Sequence, residues 1–461
     1  MDVLPKYRLP RFPLPVWLLT GVFLLFGIAV WWRAKSTADE PMTHAEALAA
    51  LPANLAPPIH DPEAQQHYAE ISKAAKFLDD PQLYALWRGN SIRGISTLTP
   101  RERLIAIEFL ARHKEAFARL EQLLNRDWPV ETPPQFVWGE NPFYEVSQAS
   151  SFFAMIAREQ GNTSLAAHYV ALSAGLFSKA SGYTGSLGRT IMGQSASDSL
   201  FIALKHLKEL SLTAAQYREI VDHMPPSQQL TRAYPASVIC YFHQKVLPAV
   251  LDPRKPRAPD PQQPYNQFYG PQLFAYANYK KRETLKTLAV LYSESIQDLN
   301  QEWDPGFRHL DRFIHASIAA IPPSIGGGTS STDFLGRILT SNTFRNTPNL
   351  LGSVMILDLA PQAAYAPSGY ERIRCQYEAA RLLFAFCAYK KEHAKALPGK
   401  LSDLVSSGVF RSLPLDPYTG KPFLYDPIRG VLWSTGANKV DDGGSAAGGS
   451  IGSRDTVFRL F

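Results

Sequence analysis

YERIRCQYEAARLLFAFCAYKKEHA (370–394) followed by PLDPYTGKPFLYDPIRGVLWSTG (414–436) decides the architecture of the chain's end. Tyr370, Ile373, Tyr377, Ala380, Phe384 and Cys387 recur at alternating spacings of three and four, which sets them on one face of a helix. Arg372, Arg374, Glu378, Arg381 and Lys391 lie off that stripe. Turn formers over 414–422 then lead into a strand around Phe423, Leu424 and Tyr425, and Pro427 and Gly430 bound a second turn. Residues 431–434 read as the next strand, and 456–460 alternate polar and apolar as a third. One long helix and three short strands make a small α+β unit over 366–461.

Between the last two strands lie Gly436, Gly443, Gly444, Gly448, Gly449 and Gly452. Such a loop orders itself only at high entropic cost. Asp441, Asp442 and Asp455, together with free backbone carbonyls, suit a hard, oxygen-ligated cation. The alternating acidic positions of an EF-hand are missing. The competing reading is a plain glycine loop whose aspartates only turn the chain.

Pro414-x-Asp416-Pro417, Gly420-Lys421-Pro422, Tyr425, Ser434-x-Gly436 and Asp441-Asp442-Gly443-Gly444, set behind a long helix, resemble the globular part of the type II secretion major pseudopilin family. The resemblance covers 366–461 only. It implies that the loop wraps a calcium ion, with Asp442 and Asp455 ahead of Asp441 as side-chain ligands. Two departures stand beside it. A pseudopilin's membrane helix runs directly into its domain helix, whereas the apolar run here lies far upstream. Pseudopilins also carry a Gly-Phe-Thr-Leu-x-Glu-like processing site and a glutamate in the apolar run, and neither accompanies 14–32 here. The expectation is a borrowed fold without fibre assembly. The whole layout is similar to uncharacterised membrane-anchored bacterial proteins with such a tail, and it implies no established activity.

That upstream run, LPVWLLTGVFLLFGIAVWW (14–32), carries no charge and is long enough to cross a bilayer. Trp17 lies near one end, and Trp31 and Trp32 at the other, where indole rings favour the interface. Residues 1–13 form a basic flank with Lys6, Arg8 and Arg11, while Arg33 and Lys35 precede Asp39 and Glu40 on the far side. The charge balance favours the N-terminus inside, making 14–32 a single-pass anchor in the lipid bilayer of a bacterial inner membrane with the body periplasmic. A cleaved signal peptide ending at Ser36-Thr37-Ala38 is the alternative, opposed by the length of the run and by Arg33 and Lys35.

Between anchor and tail the chain is mainly helical. Over 42–250 the apolar residues recur at helical spacing. Thr99-Pro100-Arg101-Glu102 forms a capping box before Ile105, Phe109, Phe117 and Leu120, which predict one helix to about 125. Thr213 and Gln216 repeat the box. Residues 152–179 predict helix, a Gly161-Asn162 turn, then helix, much as in one tetratricopeptide-like hairpin. With no second copy at a fixed period, a bundle and a repeat remain equal readings. Six prolines make 252–271 a semi-rigid linker. The region 272–365 predicts helices over 272–303 and 307–321, then a Gly/Ser-rich loop over 322–350.

In 461 residues, 45% hydrophobic and 19% charged residues exclude global disorder. The net charge of +6 is thinly spread, so no nucleic-acid partner is expected. Cys240, Cys375 and Cys387 are too few for a disulfide framework. The chain contains no HExxH, phosphate-loop, CxxC or dinucleotide signature. Asp311 and His315 share a predicted helix face, with His309 nearby, and are the focus of the rival reading, an envelope enzyme with its site in the helical body. The leading expectation is no enzyme but an extracytoplasmic interaction or scaffold protein. It would serve an unidentified protein partner in a type II secretion-like or envelope assembly.

Overall fold

In a computed structural model, residues 42–57, 62–81, 86, 98–124, 142–183, 212–224, 226–227, 234–252, 279–302, 349–444 and 455–460 are described. They are mainly helical, with small antiparallel sheets near the C-terminus. The predicted anchor 14–32, the linker 253–271, the helix 307–321, the loop 322–348, and Asp311, His315 and His309 all lie outside the described residues. Among the described residues, no helix is long and apolar enough to cross a membrane.

The chain divides into two compact units. The first contains α1 (His44–Ala49). Thr43 caps it, accepting from the Glu46 amide while the Glu46 carboxylate accepts from the Thr43 amide at 2.8 Å. Farther along the chain in this unit, the Tyr279 hydroxyl and the Lys281 ammonium donate to the carbonyls of Val250 and Leu251, at 2.8 and 2.7 Å. Those carbonyls end a helix and have no intrahelical donor. Asn349, at φ 50°, accepts from the Lys280 amide through Oδ1 and donates through Nδ2 to Thr284 Oγ1. Gly352 faces this knot so closely that a Cβ there would lie 2.1 Å from Thr284 Oγ1.

The second unit holds α2 (Pro62–Ala75), α3 (Pro100–Arg112), α4 (Lys114–Leu124), α5 (Pro142–Glu159), α6 (Thr163–Tyr183), α7 (Ala214–Asp222) and α8 (Tyr234–Tyr241). Both predicted capping boxes form, at Thr99 with Glu102 and at Thr213 with Gln216. The single helix expected from Thr99 to about 125 is instead two, because His113 leaves helical geometry at φ −105°, ψ 15°. The His113 ring stacks on Phe77 and lies tilted against Phe109, which fixes the bend inside an aromatic cluster with Phe117 and Phe153. Helices α5 and α6 form the predicted hairpin: Gly161 takes φ 74° and Asn162 Oδ1 accepts from the Leu165 amide. Beyond α8 the helix passes through a π-turn (Phe242–Val246) into α9 (Leu247–Leu251).

Helix α10 (Lys281–Leu299) lies within the predicted 272–303 span. Helix α11 (Leu350–Glu392) starts well before the position predicted from periodicity, running through Pro361 and Pro367. A helical proline leaves the carbonyl four residues back without its donor. For Pro367 that carbonyl belongs to Ala363, and Ser295 Oγ from α10 donates to it at 2.9 Å. A side chain distant in sequence therefore offsets the break that the proline imposes locally.

Tyr377, Phe384 and Phe386 of α11 are buried in one core with Phe152 and Phe153 of α5, Ile220 of α7, and Leu432 and Phe458 of the sheet. Because helices cover it on the other side as well, Glu378 and Arg381, off the apolar stripe, are also buried. After the short α12 (Asp403–Ser406), β1 (Leu415–Asp416) pairs antiparallel with β2 (Lys421–Pro422). Strands β3 (Leu424–Asp426), β4 (Val431–Ser434) and β5 (Thr456–Arg459) form an antiparallel sheet in that order. Leu424 pairs with Trp433, and Ser434 with Thr456, so the three predicted strands are present to within a residue or two.

Candidate functional site

Asp416 ties together the motifs that frame the glycine loop. It is buried, and its Oδ1 accepts from the Tyr418 amide at 3.1 Å and from Ser434 Oγ at 2.9 Å. Its Oδ2 accepts from Thr419 Oγ1, and Ser434 Oγ in turn accepts from the Gly436 amide at 3.0 Å. The Pro-x-Asp-Pro turn and the Ser-x-Gly strand end are thus one hydrogen-bonded knot. Burial pushes the Asp416 carboxyl above its usual range, and these bonds pull it back only in part. Gly436 at φ 66° and Lys439 at φ 57° then bend the chain out of β4 towards the acidic segment.

There the structure separates the three predicted ligands by role. Asp441 Oδ1 accepts from the Trp433 indole N–H at 3.0 Å and from the Gly443 amide at 2.9 Å. The Asp442 side chain is exposed, while its amide donates to Asp455 Oδ2 at 3.0 Å. Asp455 Oδ2 also accepts from the Gly444 amide at 2.7 Å. The residue is 8% exposed, and its other oxygen, Oδ1, is buried with no hydrogen-bond donor among the described residues. Burial raises the Asp455 carboxyl pKa; the two amides lower it, and the nearby Asp441 and Asp442 charges raise it again.

A buried carboxylate oxygen with no donor is costly unless it takes a proton or a cation. Asp455 Oδ1 is such an acceptor, while Asp441 Oδ1 and the Gly443 and Gly444 carbonyls are already engaged within the protein and the Asp442 side chain is exposed. Among the described residues, no group of three or more His, Cys, Asp or Glu side chains is placed to hold a metal ion. Residues 445–454, the remainder of the loop, lie outside the described residues.

Sequence reasoning missed two residues of this site. Arg429 donates through Nη1 to the Gly443 carbonyl at 2.7 Å and through Nη2 to the Gly444 carbonyl at 3.0 Å. Its guanidinium lies 5.9 Å from the centre of the Trp433 ring. Trp433 also abuts Gly444, where a Cβ would lie 2.9 Å from the indole. The only available signal was an arginine in the turn just before an aromatic-bearing strand.

No family model, curated protein or solved structure matches the chain.

Proposed function

We propose that this protein is a single-pass scaffold of the bacterial inner membrane, anchored by 14–32, with its helical body and a pseudopilin-like, calcium-ordered tail on the periplasmic side. It acts as a binding platform for a protein partner in a type II secretion-like or envelope assembly rather than as an enzyme. The observation that carries this reading is Asp455 Oδ1, buried and without a donor beside Asp441 and Asp442. The motif resemblance and the apolar run support it. A calcium site of the weak affinity usual in extracellular modules fills outside the cytoplasm, which agrees with the orientation favoured by the flanking charges.

The test is calorimetric titration of calcium into the chelator-treated full-length protein, with melting followed in parallel. The full chain is required because α11 shares its core with the helical body. The wild type is expected to bind and to gain about 2.7 kcal/mol at a hundredfold excess over the dissociation constant. Asp455→Asn keeps an acceptor for the two amides and removes the charge, and is expected to lose at least tenfold in affinity. Absence of binding by the wild type, or equal binding by the variant, contradicts the reading.

A further inference from the structure

Buried ionisable side chains cluster where α11 faces the Asp416 knot. Glu371 and Cys375 lie one turn apart on the helix, and Asp416 and Tyr418 come from β1 and the turn after it. Burial pushes the Cys375 thiol well up; Asp416 adds to the rise, the Ser434 hydroxyl opposes it, and Glu371 and Glu378 add to it again. Burial likewise raises the Tyr418 hydroxyl, with Cys375, Glu371 and Asp416 adding and Arg372 opposing. Arg374 Nη1 donates to both Glu371 oxygens, at 2.9 and 3.0 Å, and Lys439, beyond β4, acts on Glu371 from further off. The donors to Asp416 are neutral: the Tyr418 and Thr435 amides and the Thr419 and Ser434 hydroxyls. Among the described residues no cation bonds it.

The walls of this cluster differ in strength. Helix α11 is held in the core through Tyr377, Phe384 and Phe386, whereas β1 and β2 pair over two residues each and Lys421 and Pro422 are exposed. So short a ribbon has little besides its contacts with the rest of the fold to keep it in place. We infer that Glu371 and Asp416 form a proton-operated catch between α11 and the β1–β2 turn, closed while the pair holds a proton and opening locally, ahead of the rest of the fold, when both carboxyls ionise. Two carboxylates in a site with little water repel one another and lack hydration, and lifting the turn supplies water to both. Burial holds the Glu371 carboxyl at about 7 in the closed form, so opening becomes easier as pH rises from about 4.5 towards 7. Because Ser434 joins Asp416 to the Gly436 amide, opening also frees the strand end from which the glycine loop leaves.

Cys375 reports the catch, since it lies one turn from Glu371 and beside Ser434, while Cys240, buried in α8, reports the helical body. Full-length wild type and Glu371→Gln are treated with dithiodipyridine between about pH 5 and 8, without urea and in urea below the unfolding transition. Labelling at each cysteine is read by mass spectrometry. Dividing each rate by that of the same cysteine in the unfolded chain at the same pH removes the ordinary titration of the thiol. In the wild type the corrected Cys375 rate is expected to rise at least about tenfold across this range, with little dependence on urea, as for a local opening. In Glu371→Gln, which keeps an acceptor for Arg374 but takes no charge, the rise is expected to vanish. A Cys375 rate matching that of Cys240 in both level and urea dependence makes the opening global and overturns the inference. A Cys375 rate that is flat with pH, or that rises equally in the variant, overturns it as well.

Discussion

Replacing Glu378 with alanine is expected to cost about 3–5 kcal/mol of folding stability, the range for one half of a buried ion pair removed. Glu378 is 2% exposed and holds two partners. Its Oε2 accepts from Arg381 Nη1 at 2.6 Å, and its Oε1 accepts from the Ser227 amide at 2.6 Å. Alanine removes both acceptors at once. The Arg381 side chain, 10% exposed and stacked over Phe410, would keep its charge in a site with little water to solvate it. Chemical denaturation measures the loss. The double variant Glu378→Ala/Arg381→Met is expected to recover a large part of it, because both charges leave together. A loss below about 1 kcal/mol in the single variant would show that water reaches this pair.

The second large effect is a pH dependence centred on Glu371. This carboxyl is 4% exposed, and burial pushes its pKa up to about 7. Arg374, whose Nη1 donates at 2.9 Å, and the more distant Lys439 oppose the rise, while Asp416 adds to it. Desolvation wins because neither cation matches the hydration lost. The raised value means that the folded chain holds this proton more tightly than the unfolded chain, so the stability gain is complete below the unfolded pKa. It is lost as pH rises from about 4.5 towards 7, for a total of about 3 kcal/mol. Asp416, also raised by burial, acts with the same sign. Urea midpoints across this window are expected to fall with pH in the wild type and to flatten in Glu371→Gln. An equally steep slope in the variant would remove Glu371 as the source.

The parts of the fold legible in sequence are those decided locally. Thr99 with Glu102, and Thr213 with Gln216, announce their helices because a capping box needs only neighbours. Gly161 announces its hairpin, turn formers bound β3 and β4, and alternation announces β5. What failed was non-local. The periodicity places the start of α11 near Tyr370, and only the Ser295 hydroxyl, far away in sequence, shows how the helix accommodates Pro367 upstream of it. Glu378 and Arg381 lie off the apolar stripe in sequence, yet helices on the other side bury them. In the site, the sequence pointed to Asp442 and Asp455 ahead of Asp441 as side-chain ligands, whereas Asp441 faces an indole, Asp442 serves through its amide, and of the three only Asp455 keeps a buried oxygen without a donor among the described residues. Arg429, sitting in a turn, gave no pattern from which its hold on the glycine carbonyls could be read.

The proposed function depends first on which side of the membrane the tail lies. Ile428, at the β3–β4 turn, is 96% exposed, whereas Cys240 and Cys375 are buried and Cys387 is half-buried. An Ile428→Cys variant, treated in spheroplasts with a membrane-impermeant maleimide, is the most direct measurement, with wild type giving the background. Labelling in intact spheroplasts equal to that after lysis is the expected result for a periplasmic tail. Labelling only after lysis would place the tail in the cytoplasm and contradict the proposed orientation.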